Sequence, residues 1–173
     1  RIGIFGDSQG GAHAWAAAAF SGTRLPGSLR LQPFPRISAV VPRIMAPQTT
    51  DVLVPGGEDI HERLGSWIAD DNEKIVRFEA DFRAQARRFL DAGDAKGLAR
   101  WMCSVPGREF TDLLRQSRVP IFCQLSWLDE FLHPDLVVRA LELLPLQTPR
   151  RIFVSTGFHG TPLNTYQYIA RQR

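Results

Sequence analysis

The chain is 173 residues long, the size of one ordinary domain. It is 44% hydrophobic and 23% charged, close to the average for globular proteins, which excludes a disordered tail. The net charge is +3, and the basic residues are scattered rather than clustered, so we expect no nucleic-acid partner. The longest uncharged apolar run, Ala14 to Phe20, is too short to cross a bilayer, so we expect no membrane partner.

The ends of the sequence and its two cysteines lead to expectations about partners, localisation and disulfide bonds. The chain enters an apolar run directly after Arg1, and its last residues read as a helix stopped mid-pattern. We therefore expect a partner, either the remainder of a longer chain or a second copy of this one. Localisation stays open between cytoplasmic and secreted, because no native start is visible. Cys103 and Cys123 have neither disulfide nor metal spacing, and Cys123 is predicted to lie in the core.

The first third of the chain predicts two strands around one helix. Apolar and glycine-rich patterns predict a strand over Arg1–Phe5 and a tight turn over Gly6–Gly11. An alanine-rich helix is predicted over Ala12–Phe20, because alanine has the highest helix propensity. After a loop rich in glycine and proline, a second strand is predicted over Ile37–Met45. Pro42 within it predicts a bulge or the end of that strand.

The segment from Asp59 to Ser117 has helical character. Apolar residues recur there at steps of three and four, on one face of an amphipathic helix: Ile75, Phe78, Phe82, Ala86 and Phe89. Start signals at 70–72 and a stop at Gly93 bound this helix. Shorter helices are predicted over 95–103 and 108–116.

The last third returns to alternating strands and helices. Strands are predicted over Val119–Ser126 and Arg151–Ser155, with a helix over Pro134–Leu144 between them and a final helix from about Leu163. The order of elements is βα, β, a helical insert, βα, βα. It predicts an α/β fold, with a parallel sheet of about four strands and helices on both faces.

A nucleophile motif lies between the first strand and the first helix, as G-x-S-x-G over Gly6-Asp7-Ser8-Gln9-Gly10. The sharp strand-to-helix reversal forces the serine into strained backbone geometry, and the glycines on either side remove side chains that would collide. The hydroxyl of Ser8 would stand at the helix N-terminus, where backbone N–H groups can receive a developing oxyanion. The alternative is an ordinary turn with Ser8 as the helix N-cap.

A nucleophilic serine needs a base. His159 is the expected one, because it follows the last predicted strand in a loop of small residues at the carboxyl edge of the sheet. His13 reads as a structural residue, His61 as a surface residue of the insert, and His133 as a group that could line the same cleft.

The base in turn needs an acid that orients it. Asp129 follows the third predicted strand at the same edge of the sheet, and Glu130 beside it is the alternative. The chain order is then Ser8, Asp129, His159, which is the order expected for a triad on this type of sheet.

Three stretches resemble a known family. Residues 6–11, 119–131 and 155–162 are similar to the elbow, the acid strand with its loop, and the histidine loop of the α/β-hydrolase superfamily. Within the superfamily they are most similar to the acyl-esterase and X-prolyl dipeptidyl-peptidase group, the cocaine-esterase-like, peptidase S15-like hydrolases. The resemblance implies that Ser8 is the nucleophile, Asp129 the acid and His159 the base.

The resemblance also implies a domain organisation. Residues 1–58 would be the elbow half of a partial α/β-hydrolase core, 59–117 a helical cap insert, and 118–173 the C-terminal half of the same catalytic domain. About four strands that precede the elbow in the family would lie outside the chain, together with the second oxyanion donor. Gln9 then remains the candidate donor.

The expected function is hydrolysis of a small-molecule ester or a short peptide through an acyl-enzyme, with no metal and no cofactor. Trp127, beside the acid, is the expected substrate-binding residue. Trp67, Phe78 and Trp101 are further candidates for an apolar acyl pocket, and Trp67 and Phe78 would equally suit the core of the cap. Two alternatives use the same scaffold: an acyltransferase and a non-catalytic binding module.

Overall fold

A computed structural model describes residues 1–24, 33–48, 80–104, 110–129 and 132–159. The predicted start of the long helix at 70–72, the final helix from about Leu163, His61 and Glu130 lie outside the described residues. None of the helices in the described part is long and apolar enough to cross a membrane.

The strands and helices follow the order predicted from the sequence. Their bounds are β1 Gly3–Asp7, α1 Gln9–Phe20, β2 Ala39–Arg43, α2 Ala80–Asp91, α3 Ala95–Ser104, α4 Thr111–Leu114, β3 Ile121–Ser126, α5 Pro134–Leu143 and β4 Arg150–Ser155. The largest difference at the N-terminal end is in α1, which begins three residues earlier than predicted. The reason is that the chain turns into the helix directly after Ser8.

The four strands form one parallel sheet in the order β1-β2-β3-β4. Each strand lies beside its predecessor in the chain, so every crossover runs in the same direction. Because such crossovers are right-handed, their helices fall on the same face of the sheet. Trp15 of α1 and Val137 of α5 accordingly belong to one buried cluster, together with Val40 and Cys123 from the strands.

The expectation of helices on both faces of the sheet falls partly outside the described residues, which do not include the final helix predicted from about Leu163. The described helices that pack on the sheet, α1 and α5, share the first face. On the second face Phe5 lies beside Val41, and Phe5 is 73% exposed.

Pro42 lies inside β2, between two neighbouring strands. The amide of Val40 donates to the Pro120 carbonyl and that of Ile44 to the Gln124 carbonyl. Pro42 falls midway between these two donors and has no N–H, so the β2–β3 ladder lacks one hydrogen bond. The strand ends one residue later, at Arg43, which is close to the end that the proline predicted.

The helices α2 and α3 form a pair with its own small core of Ala86, Leu98 and Met102. Gly93, with φ +63°, ends α2 as predicted, and Asp94 caps α3 by accepting a 2.8 Å hydrogen bond from the Gly97 amide.

The short helix α4 packs elsewhere. Leu114 lies in the core of the sheet, and the ring of Phe110 lies 6.0 Å from that of Phe20 in α1. The insert predicted over 59–117 thus contributes its last helix to the main core.

Candidate active site

Ser8 lies at the turn between β1 and α1 in strained geometry, with φ 52° and ψ −121°. Its amide donates to the Arg43 carbonyl at 3.1 Å, and its carbonyl accepts from Gly11 at 2.8 Å. The turn is therefore held on one side by β2 and on the other by the first turn of α1. Such strain persists only where the surrounding structure enforces it, as the motif predicted.

Two glycines make this turn possible by the absence of a side chain. A Cβ on Gly6 would overlap the backbone of Gly10, and a Cβ on Gly11 would lie 2.6 Å from the Arg43 carbonyl oxygen. A Cβ on Gly10 would meet nothing within 4 Å among the described residues. The expectation that Gly10 relieves a collision of its own is therefore wrong. Its backbone crowds Gly6, and Gly11 makes the close contact with β2.

The hydroxyl of Ser8 does not cap the helix. Ser8 occupies the N-cap position of α1, but it makes no side-chain cap hydrogen bond. Its Oγ lies 3.0 Å from Nε2 of His159, which is 151 residues away in the chain. This contact separates the site from an ordinary turn with a serine N-cap.

His159 continues the chain of hydrogen bonds to Asp129. Nδ1 lies 2.9 Å from Oδ1 and 2.8 Å from Oδ2 of that carboxylate. A carboxylate only accepts hydrogen bonds, so Nδ1 carries the proton and Nε2 accepts from the Ser8 hydroxyl. The side chain of Asp129 is fully buried and that of His159 is 18% exposed, which leaves the imidazole partly accessible to solvent.

The loop after β3 holds Asp129 in this position. The amide of Leu132 donates to Oδ1 at 2.9 Å, and the Asp129 amide donates to the Ser126 carbonyl. The Trp127 amide donates to the Ser155 carbonyl at 2.7 Å and so joins the acid loop to the end of β4. Since the carboxyl ends of parallel strands meet at one edge, β1, β3 and β4 bring the three groups together there.

Gln9, Trp127 and Trp101 are the other described residues that the sequence predicted for the site. Gln9 is the first residue of α1, so its N–H has no acceptor within the helix and is available to a ligand. Trp127 is 64% exposed, two residues before the acid. Trp101 lies inside the helical pair, 5.0 Å from the ring of Phe82 and 5.9 Å from that of Phe89, so it belongs to that core.

Among the described residues, two further histidines lie outside this chain of hydrogen bonds. His13 is exposed on α1, in keeping with its structural interpretation, and His133 is exposed at the N-cap of α5. In the described part of the chain, no group of three or more histidine, cysteine or acidic residues could hold a metal ion.

Sequence reasoning missed one charged residue of this region. Arg43, at the end of β2, is buried, and its Nε lies 3.0 Å from Oδ1 of Asp7, the residue before Ser8. Its signal in the sequence is a single arginine inside the apolar run 37–45.

No protein-family model matches the chain, and no curated protein matches it. Solved structures do match. A Bacillus anthracis α/β-fold hydrolase is 11% identical with a TM-score of 0.57, over 98% of this chain and 64% of its own. An esterase of Pyrococcus furiosus is 14% identical with a TM-score of 0.51, over 99% and 51%. An acylaminoacyl peptidase of Pyrococcus horikoshii is 15% identical with a TM-score of 0.51, over 95% and 20%.

The chain has the α/β-hydrolase fold. The agreement extends over nearly the whole of this chain, including the parallel sheet on which Ser8, Asp129 and His159 lie. The chain spans about half the length of the Pyrococcus furiosus esterase, so the likeness concerns part of that structure.

Proposed function

We propose that the chain carries the nucleophile, base and acid of a serine hydrolase that cleaves an ester or an amide. The observation that supports this most strongly is the 3.0 Å contact between Oγ of Ser8 and Nε2 of His159. A serine at a helix N-cap would ordinarily bond to the first amides of the helix. Here the hydroxyl is aligned with a histidine that is itself oriented by a buried carboxylate.

In the proposed reaction, Oγ of Ser8 attacks the carbonyl carbon of the substrate while its proton moves to Nε2 of His159. The new C–O bond places the carbonyl electron pair on the oxygen as an oxyanion. When this intermediate collapses, the bond to the leaving group breaks, and the leaving alcohol or amine takes the proton from Nε2. Water, deprotonated by His159, then attacks the acyl-serine and releases the acid and the free hydroxyl.

Asp129 supports both proton transfers without taking the proton itself. It accepts the Nδ1–H hydrogen bond, which keeps Nε2 as the acceptor and stabilises the imidazolium that forms during the attack. The amide of Leu132 holds Oδ1, so the carboxylate keeps its orientation in a buried position.

The backbone N–H of Gln9 is the proposed oxyanion donor. It lies at the positive end of the α1 dipole and directly follows the nucleophile, so it is placed where negative charge would develop. The partial positive charges on the backbone N–H groups in the first turn of α1 are in place before the reaction, so no rearrangement is needed to stabilise the oxyanion.

The proposed substrate is a small-molecule ester or a short peptide. Within the superfamily, the three stretches around Ser8, Asp129 and His159 favour the S15-like acyl-esterase and X-prolyl dipeptidyl-peptidase group. Trp127 is the proposed apolar contact for the substrate, because its exposed ring belongs to the same loop as Asp129. The similar structures include both an esterase and a peptidase, in keeping with either bond type.

We also propose that β1 is completed by a further segment, from a longer chain or a second copy. Among the described strands, β1 is at the edge of the sheet, and Phe5 in β1 and Ile2 just before it are exposed. Unpaired apolar edges promote association with another strand. Light scattering during size-exclusion chromatography of the isolated 173 residues should show association or aggregation, and a soluble monomer with a cooperative melt would contradict this proposal.

A fluorophosphonate probe tests the proposed chemistry directly. The intact protein should become phosphonylated at Ser8, identified by peptide mass spectrometry, and His159→Ala should abolish labelling. His133→Ala, at an exposed histidine outside the site, is the matched control and should label at the wild-type rate. Labelling of another residue, or none, would contradict the proposal. Product analysis with an added alcohol then distinguishes hydrolysis from acyl transfer.

A further inference from the structure

Arg43 is a charged residue that lies beside the nucleophile turn, at the end of β2. It is the last residue of β2 and lies opposite Asp7 in the parallel register. Its carbonyl accepts the Ser8 amide at 3.1 Å. The backbone of Arg43 therefore holds the nucleophile, and its side chain reaches the residue that precedes it.

The two side chains interact by charge. Nε of Arg43 lies 3.0 Å from Oδ1 of Asp7, but its N–H is not aligned for a hydrogen bond to that oxygen. The arginine side chain is 9% exposed, whereas that of Asp7 is 43% exposed. Arginine is seldom buried to this degree without an opposite charge, and screening by water is weak where one partner is buried.

The backbone around Arg43 is fixed independently of its guanidinium. Ile44, with φ 44°, turns the chain after β2, and its amide donates to the Gln124 carbonyl at 2.7 Å. The Met45 carbonyl accepts from Nε1 of Trp15 at 2.9 Å. Because β3 and α1 both hold this turn, a change of the Arg43 side chain alters the charge next to Asp7 while these two anchors remain.

The pair matters for the proposed reaction because Asp7 directly precedes the nucleophile. An unpaired carboxylate at this position would repel the oxyanion that forms beside Ser8 in the transition state. We propose that Arg43 is a positioning residue that neutralises and holds the Asp7 carboxylate, so that negative charge can develop on the substrate. This inference rests on the proposed serine hydrolase and assigns no contact between Arg43 and substrate.

The test compares a single variant with a charge-removing double variant in the intact protein. The steady-state parameters kcat and KM are measured for a neutral activated ester. Arg43→Met, which keeps the length of the side chain, leaves Asp7 unpaired and should lower kcat about tenfold with little change in KM. The Asp7→Asn/Arg43→Met double variant removes the repelling charge and should recover most of that loss. Arg43→Lys should retain most of the activity.

A matched control uses an exposed ion pair far from the nucleophile in the chain. Arg139 lies 3.4 Å from Asp135 in α5, with both side chains more than half exposed. Arg139→Met should leave kcat unchanged. Melting temperatures for all variants identify any that lose activity by unfolding.

Three outcomes would overturn the inference. If Arg43→Met and the double variant lose activity equally, the arginine acts on the fold and not through the charge of Asp7. If the loss lies in KM, the arginine binds substrate. If neither parameter changes, the pair is irrelevant to the reaction. A wild-type protein that neither hydrolyses ester nor reacts with the fluorophosphonate would instead remove the proposed function, and this inference with it.

Discussion

The sheet with its helices and the α2–α3 pair are built in different ways. The core of the sheet joins residues far apart in the chain, such as Trp15, Val40, Leu125 and Val137. The core of the pair joins residues between Phe82 and Met102, across one tight turn at Gly93. The difference teaches that the pair is a local unit, whereas every group of the candidate site depends on the long-range assembly of the sheet.

The helix α4 shows where the two regions separate. It follows the pair in the chain, but Phe110 and Leu114 belong to the main core, where α4 packs against α1, and the nearby Ser117 hydroxyl donates to the Ala18 carbonyl at 2.9 Å. An attempt to remove the helical insert should therefore retain residues from 110 onward.

Under the proposed function, the nucleophile, base and acid all lie at the edge of the sheet, and Ser8→Ala tests this most severely. The substitution should abolish turnover of an activated short-chain ester by the intact protein, with a loss of about a million-fold, because triad members act as a unit. Initial rates with purified variant and wild type are the measurement. Retention of one tenth of the wild-type activity would remove Ser8 from the role.

Asp129→Asn examines the acid in the same region. It should lower kcat by about four orders of magnitude while the protein stays folded, because an amide at this position favours the wrong tautomer of His159. Glu130→Gln is the matched control and should have a mild effect. The reverse ranking in steady-state kinetics would mean that Glu130 is the acid.

Two leucine truncations compare the cores directly. Leu125→Ala, in the sheet, should lower the global free energy of unfolding by about 2–5 kcal/mol and reduce activity with it. Leu98→Ala, equally buried in the pair, should increase amide hydrogen exchange in α2 and α3, with a smaller effect on the global melt. Equal global losses would show that the two regions unfold as one.

Removal of the pair should also alter function more than stability. We expect replacement of 80–104 by a short flexible linker to change the range of esters hydrolysed more than the melting temperature, as for a lid over the cleft. Circular dichroism melts and a panel of esters with different acyl lengths are the measurements. Unfolding of the whole protein would mean that the pair is part of the main core.

Two neighbouring glycines of the nucleophile turn differ in whether a single added methyl group fits. Gly11→Ala should destabilise the protein by about 1–3 kcal/mol, because the new Cβ would collide with the Arg43 carbonyl. Gly10→Ala, next to it in the same motif, should be tolerated, because no described atom lies within 4 Å of a Cβ there. Denaturant titrations of both variants measure this difference, and equal losses would contradict it.

The two cysteines give the smallest predicted effect, one in each region. Cys103 is exposed on α3, whereas Cys123 is buried in β3, and burial raises the pKa of the Cys123 thiol. A disulfide exchange reagent at neutral pH should modify Cys103 rapidly, and Cys123 only after unfolding in guanidinium chloride. Modification of both in the native protein would mean that the core of the sheet opens readily.

The raised pKa of the Cys123 thiol also makes the stability of the folded protein depend on pH. Because the folded chain holds the thiol proton more tightly than the unfolded chain, the unfolded chain releases it first. The contribution of Cys123 to stability is therefore fully present below the unfolded thiol pKa of 9.0 and decreases as the pH rises above it.

Much of the candidate site was predictable because its signals are local. The G-x-S-x-G turn predicted the strained Ser8, and the positions of Asp129 and His159 after apolar runs predicted the edge of the sheet to which they belong. The helix stop at Gly93 and the buried Cys123 were also confirmed. Catalytic roles and substrate remain predictions.

What was not predictable depends on which distant segments dock together. The ion pair of Arg43 with Asp7 exists because β2 lies beside β1 in one particular register, and nothing local to either residue indicates it. The close approach that makes Gly11, rather than Gly10, intolerant of a side chain has the same origin in the path of β2.

The sequence by itself determined the order of strands and helices, the strained nucleophile turn and the α/β class. Steric limits and apolar periodicity act over only a few residues, so these features can be predicted from short stretches of the sequence. The tertiary structure alone decided the strand order β1-β2-β3-β4, the placement of α1 and α5 on one face, and the ion pair of Arg43 with Asp7. These features depend on burial shared between segments that are distant in the chain, which no local pattern specifies.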